Sequence, residues 1–259
     1  MILSPPLTAP SHLSSALRDR GWAVLSAQSL CELAGVPRSE LARLSSSWDA
    51  LPPDPHLRDG GSYRFRRHAC FVVDDGVITL APRRAHWQPV EYNALHGGFE
   101  RWFAPMEDTT LDAPAWTALL SSLSKKLGEI AGARRWYVEA HQFRIDTASG
   151  IGRPTPEGAH RDGVDHVAVI LVSRRGVKGG ETRVFQATGP GGFRFTITDP
   201  WTCLLLDDER VIHETTPIQP TEPGGVRDTL VLTFRKQGFQ GPAEVAPDAG
   251  ARAADGDID

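Results

Sequence analysis

Cysteine is nearly absent from this chain, and what there is cannot build a scaffold. Cys31, Cys70 and Cys203 are scattered, odd in number and never in a CxxC pair. That argues against a disulfide framework and a thiolate zinc site, and it fits a reducing compartment. Long apolar runs are missing too. No stretch approaches the roughly 20 residues needed to cross a bilayer, and the opening MILSPPLTAPSHLSS has no charged-then-apolar leader. Nor is positive charge in excess: 28 basic residues face 32 acidic ones, for a net −4, with no basic run longer than two. Neither nucleic acid nor an anionic membrane is therefore the expected partner. No GxGxxG or GxxxxGKS/T element and no internal repeat occurs, which disfavours a nucleotide-binding α/β fold. The chain reads as soluble and cytoplasmic, and 259 residues with 40% hydrophobic content suffice for one substantial core.

What is present divides near residue 135. Before it, helical spacing predominates. Ser11 to Arg20 is expected as a helix ended by Gly21; Ser29 to Leu33 and Ser39 to Trp48 follow, with Ser39 as the N-cap of the latter. Residues 49–62 are turn-rich. Tyr63 to Val73 and Gly76 to Leu80 suggest a strand pair about the Asp74-Asp75-Gly76 turn. Trp116, Leu119, Leu120, Leu123, Leu127 and Ile130 recur at three- and four-residue steps, so Pro114 to Ala131 is the longest helix. After residue 135 the period becomes two. Trp136–Ile145, His166–Ser173, Thr182–Gln186, Phe193–Thr198, Thr202–Leu206, Val211–Ile218 and Thr229–Phe234 read as seven strands. The expectation is a mainly β fold with N-terminal helices: a sandwich or jelly roll, cupin-like, with helices buttressing one sheet. One domain is expected over 1–240, with a helical and loop part at 1–135 and the jelly-roll core at 136–240. A disordered Ala, Gly, Pro and Asp tail is expected over 241–259.

His160 and Asp162 are two apart, so in extended chain they face one side while Arg161 faces away, and Gly163 lets the backbone turn after them. His213 lies mid-strand in VIHETTPI. Two imidazoles and a carboxylate, with no thiolate, suit one face of a divalent iron and leave other positions open for chemistry. A lone HxD arises often by chance, and a single strand histidine is more often a hydrogen-bonded core residue than a ligand. The order of the set carries the weight. Arg227 and Thr229 are again two apart, placed to converge on one carboxylate of an acidic co-substrate.

These residues carry a family likeness. The blocks PEGAHRDGVDHVAVILVSR, KGGETRVF, LLLDDERVIHETTPI and RDTLVLTFRK, in that order within roughly residues 136–236, resemble the bacterial 2-oxoglutarate/iron(II) dioxygenases that include L-isoleucine 4-hydroxylase. The Tyr63–Arg67 block is similar to an upstream arginine-rich block of that family. The resemblance implies a double-stranded β-helix with Fe(II) held by His160, Asp162 and His213. It implies 2-oxoglutarate gripped at its far carboxylate by Arg227 with Thr229, dioxygen as oxidant, and hydroxylation of an unactivated C–H bond coupled to formation of succinate and CO2. The ligand aspartate is present, unlike in halogenating relatives.

For a free L-amino acid or close derivative, one cationic and one anionic anchor are needed. Arg144 is the candidate for the substrate carboxylate and Asp165 for the amine. Gln142 shares the face of Arg144 and is placed with the co-substrate, and the resemblance puts Thr182 near the site. His141 is expected as a packed residue, and Arg64, Arg66 and Arg67 as a solvated strand face, with a substrate lid as the alternative. Other readings keep the same residues. One is the iron site acting on a carrier-tethered or peptidyl substrate, or performing desaturation or sulfoxidation; another is a non-catalytic cupin-like sensor.

Overall fold

The computed structural model describes residues 3–242, so the expected tail lies outside the described residues apart from its first two positions. Its helices are α1 (Leu13–Arg20), α2 (Ala27–Ala34), α3 (Arg38–Arg43), α4 (Asp108–Leu111) and α5 (Pro114–Ala131). Strands β1 (Trp22–Leu25), β2 (Arg64–Asp74) and β3 (Val77–Leu80) come from the first half. The second half adds β4 (Arg135–Asp146), β5 (His166–Arg175), β6 (Val177–Gly179), β7 (Thr182–Gln186), β8 (Gly192–Phe195), β9 (Cys203–Asp207), β10 (Val211–Thr215), β11 (Ile218–Pro220) and β12 (Val226–Arg235).

A seven-stranded antiparallel sheet in the order β1-β9-β5-β12-β4-β2-β3 is accompanied by a three-stranded sheet, β10-β7-β8, and the short pair β11-β6. This is the mainly β, jelly-roll architecture the sequence suggests. Apolar side chains from β1, β5 and β9 meet Val184, Phe195 and Val211 of the smaller sheet. The outer face of the large sheet is covered by α2 and α5, whose Leu30, Leu119, Leu120, Leu123 and Leu127 lie in one core with Val138, Ile170 and Leu232. Each such side chain contributes about 1.5–3 kcal/mol by leaving water. Trp136 fastens the join by donating its ring N–H to Ser124 O at 2.9 Å.

Helix α5 has the bounds that its spacing predicts, and Gly132 ends it in the left-handed region at φ 65°. Three expectations need correction. Ser39 caps nothing: α3 follows Pro37, and the serine that caps is Ser26, which accepts from Ser29 N at 3.1 Å at the start of α2. The run Val211–Ile218 is two strands, because Pro217 lacks the N–H that a continuous ladder needs. The N-terminal part supplies three of the seven strands, the expected pair β2 and β3 and an unexpected third, β1. That third strand is buried at all four positions and so shows no alternation to read.

Candidate active site

The two candidate histidines are joined through their backbones. His160 N donates to His213 O at 3.0 Å and His213 N to His160 O at 2.9 Å, an isolated bridge that lays the segment before β5 beside β10. Their rings are 4.6 Å apart. His160 Nε2 is 3.9 Å from Asp162 Oδ1, and His213 Nε2 is 3.8 Å from Asp162 Oδ2. The three donor atoms lie within 4.8 Å of one another, so an ion bonded at about 2.0–2.2 Å needs only a small inward movement to reach all three. His160 Nδ1 donates to Gly158 O at 3.0 Å, which leaves the Nε2 lone pair aimed at the centre.

The loop between these ligands and β5 is held from below. Asp208 accepts from Asp162 N (3.0 Å), Gly163 N (2.7 Å) and Val164 N (3.1 Å). Burial and the neighbouring Asp162 charge push the Asp208 carboxyl up to about 6. Gly163 has φ 75°, and a Cβ there would sit 2.5 Å from the Tyr92 ring, so the turn excludes other residues. Gln88 donates to Asp162 Oδ1 at 3.1 Å, and Gln240 donates to the carbonyls of Asp162 and Gly163. Burial raises the Asp162 carboxyl and lowers the His213 imidazole. A dry acid facing two imidazoles is a donor set that a divalent cation satisfies.

A cavity opens above this centre. Arg227, Thr229, Val231 and Thr233 line it from alternate positions of β12. Arg227 is buried, its Nε has no partner among the described residues, and burial with Arg174 nearby brings its pKa down to about 10. Arg64 and Arg66 of β2 also line the cavity, with Arg101, His86 and Glu157 from the connecting segments. Asp54 binds Arg64 at 2.6 Å, and Arg66 lies over the Phe103 ring at 3.6 Å. Arg101 is 2% exposed and has no carboxylate within 4 Å among the described residues; its side chain donates only to Gln88, at 2.8 Å. Burial and then Arg64 lower Arg101 to about 10. Glu157 Oε2 is also buried without a partner among the described residues. The cavity thus has guanidinium groups without a carboxylate partner at two places and, at a third, an acid whose other oxygen, Oε1, lies 3.8 Å from His160 Nδ1 and accepts from Asn93.

Residues 45–233 match the 2OG-Fe dioxygenase family. The chain belongs to that family. Such dioxygenases use Fe(II), 2-oxoglutarate and dioxygen, and the His, Asp, His cluster is the candidate place for the iron. Among solved structures, this dioxygenase is similar to a bsmA homolog from Methylobium petroleophilum PM1, at 51% identity over 93% of this chain and 98% of that one, with a TM-score of 0.87. It shares its fold with IDO from Bacillus thuringiensis, at 17% identity over 88% and 99% of the two chains and a TM-score of 0.73. The Fe(II)/(alpha)ketoglutarate-dependent dioxygenase TqaL is a further fold relative, at 19% identity over 87% and 86% and a TM-score of 0.66. No curated protein sequence matches the chain.

The fold of the dioxygenase gathers five of the sequence-predicted residues in one cavity: His160, Asp162, His213, Arg227 and Thr229. Four others are elsewhere. Gln142 and Arg144 do share a face of β4, but it is the face toward the helices: Gln142 donates to Ser47 Oγ at 2.7 Å, and Arg144 pairs with Asp228 at 2.8 Å and Asp49 at 2.9 Å. His141, Phe143 and Ile145 face the cavity instead. Asp165 accepts from Lys236 N at 2.9 Å and forms an ion pair with its side chain. Thr182 is buried opposite Thr215, and it is Thr215 that lines the cavity. Arg64 and Arg66 are buried, not solvated; Arg67 alone turns to the other side and pairs with Glu107 at 2.7 Å. Sequence reasoning missed Arg101, Glu157, His86 and Gln88. They sit in segments without period, where only the density of polar residues in a loop offered a signal.

Proposed function

We propose that this dioxygenase hydroxylates an unactivated C–H bond of a free L-amino acid or close derivative, with His160, Asp162 and His213 holding Fe(II). Bound iron with 2-oxoglutarate supplies the oxidation: decarboxylation of the co-substrate to succinate and CO2 is coupled to insertion of one oxygen atom from dioxygen. Arg227, helped by the Thr229 hydroxyl, is assigned to the far carboxylate of 2-oxoglutarate, since a buried unpaired guanidinium calls for an anion. The observation that carries the substrate class is a second buried guanidinium facing an acid across the same cavity. Arg101, with the free Nη2 of Arg64, meets a carboxylate; Glu157, whose only ion-pair contact among the described residues is His160 at 3.8 Å, meets an ammonium. A zwitterion fills both in one enclosed space. Around them Phe143, Ile145 and Pro154 supply an apolar wall for a side chain. The three free cysteines fit a reducing, cytoplasmic setting.

The test is to incubate the iron-loaded protein with 2-oxoglutarate and each of the twenty L-amino acids under air. Mass gain of one oxygen on one or a few of them, matched by succinate, is the expected result. Succinate formed with no amino acid oxygenated would remove the substrate assignment and leave the family chemistry in place.

A further inference from the structure

Four buried side chains beside the cavity have no part in this reading: His68 on β2, His86, and Glu139 and His141 on β4. Strand register brings them together, since His68 lies opposite His141 and Glu139 is two residues along on the same face. Their donor atoms lie within 4.8 Å of one another, which invites a second metal ion. The hydrogen bonding points elsewhere. His86 Nδ1 at 2.6 Å and His68 Nε2 at 2.9 Å both contact Glu139 Oε2. Burial alone would raise the Glu139 carboxyl, but His86 and His68 lower it by more, so it stays ionised. An ionised carboxylate only accepts, so both ring nitrogens carry protons. Arg66 Nη2 is 2.7 Å from His141 Nδ1. A guanidinium only donates, so that nitrogen accepts and the neutral ring bears its proton on Nε2.

The three ring nitrogens that lie toward Glu139 Oε2 are therefore the protonated ones, and none of them offers a metal a lone pair. The His68 and His141 rings also stack, 4.6 Å apart and 11° from parallel, so their in-plane lone pairs do not aim at one point. The cluster is a hydrogen-bonded array that settles where each ring proton sits. Burial, with Arg101 and Arg66 close by, brings His86 down to about 4 against the pull of Glu139, so the ring is neutral near neutral pH. With its proton on Nδ1, His86 keeps a lone pair on Nε2. That atom has no hydrogen-bond partner among the described residues, and the ring lines the cavity. A backbone bridge sets His86 beside Arg101.

We propose that His86 is a substrate-binding residue whose Nε2 accepts a hydrogen bond from the substrate's amino group, with Glu139 as the positioning residue that fixes its tautomer. The identity of the donor group rests on the amino-acid reading above; the tautomer does not. The first test needs no substrate. In the full-length chain with Zn(II) in place of iron and 15N-labelled histidine, long-range 1H–15N spectra near pH 7 are expected to show His86, assigned by its loss in His86→Gln, as neutral with the proton on Nδ1. Metal analysis should find one zinc per chain. An Nε2–H or doubly protonated His86, or a second zinc lost in His68→Ala, overturns the proposal.

The second test uses whichever L-amino acid is oxygenated. His86→Leu should raise its KM about tenfold, the scale of one lost hydrogen bond, while the KM for 2-oxoglutarate stays put. His86→Gln, which keeps an acceptor, should recover most of that loss, and Glu139→Gln should share the rise. An unchanged amino-acid KM in a folded His86→Leu protein overturns the proposal. Should none of the twenty amino acids be oxygenated, the amino-acid reading fails on its own, and the tautomer and zinc count still decide the array.

Discussion

Along β4 and β12 the two faces of the seven-stranded sheet are both largely buried, yet they hold different kinds of residue. Toward the helices, β4 presents Trp136, Val138 and Ala140, and β12 presents Leu230, Leu232 and Phe234. Toward the cavity, one residue out of step, β4 presents Glu139 and His141, and β12 presents Arg227 and Thr229. The first face lowers free energy simply by leaving water. The second costs free energy unless each charge finds a partner, because an unpaired buried ion carries a penalty of several kcal/mol. Where a charge has no ion-pair partner among the described residues, at Arg227 and Arg101, a ligand is the natural completion. Along β4 and β12 the apolar core lies on one side of the sheet and the candidate site on the other.

That division predicts which substitutions touch turnover and which touch folding. The largest effect belongs to the candidate ligands. Asp162→Ala or His213→Ala should reduce 2-oxoglutarate-dependent succinate to the enzyme-free level and lower bound iron, with circular dichroism retained. Chelation should do the same to the unaltered protein, reversibly on adding ferrous iron. Next is Arg227→Met: a KM for 2-oxoglutarate raised about a hundredfold, in line with the 2–5 kcal/mol lost on truncating one partner of a buried charge pair. Its melting temperature should hold or rise, since an unpaired buried cation has gone. On the opposite face, Leu232→Ala should cost about 2–5 kcal/mol in urea unfolding and leave both KM values of the folded protein alone. Smallest for turnover is Arg144→Met, which leaves the buried Asp228 without its cation and should cost about 3–5 kcal/mol of stability with no change in amino-acid KM. A raised KM there would break the comparison, because it would put chemistry on the helix face.

The same two faces explain what was legible in the sequence. Alternation reveals which residues share a side of a strand, and it correctly grouped His160 with Asp162, Arg227 with Thr229, and Gln142 with Arg144. It does not reveal which side faces the helices when both are buried. Along β4, burial runs almost unbroken from Trp136 to Gln142, so polarity gives no contrast, and the sequence reading placed Arg144 at the site where His141 belongs. Helix α5 was legible because one of its faces meets water and the other does not. Arg101 and Glu157 were illegible for a different reason. Their role depends on which charges they meet and which they do not, and that is a property of the folded molecule. Asp208 is similar: its three backbone bonds to the Asp162 loop leave no trace in local pattern.

The reciprocal backbone bonds between His160 and His213 carry a consequence for how the protein acquires its ion. Because reciprocal peptide hydrogen bonds fix the spacing of the two histidine backbones, the fold itself brings the candidate ligands together, and side-chain rotation is enough to set them on an ion. Manganese, cobalt or zinc should therefore trade places with iron without any refolding. Which of them occupies the protein in a cell then follows metal availability and ligand chemistry more than raw affinity.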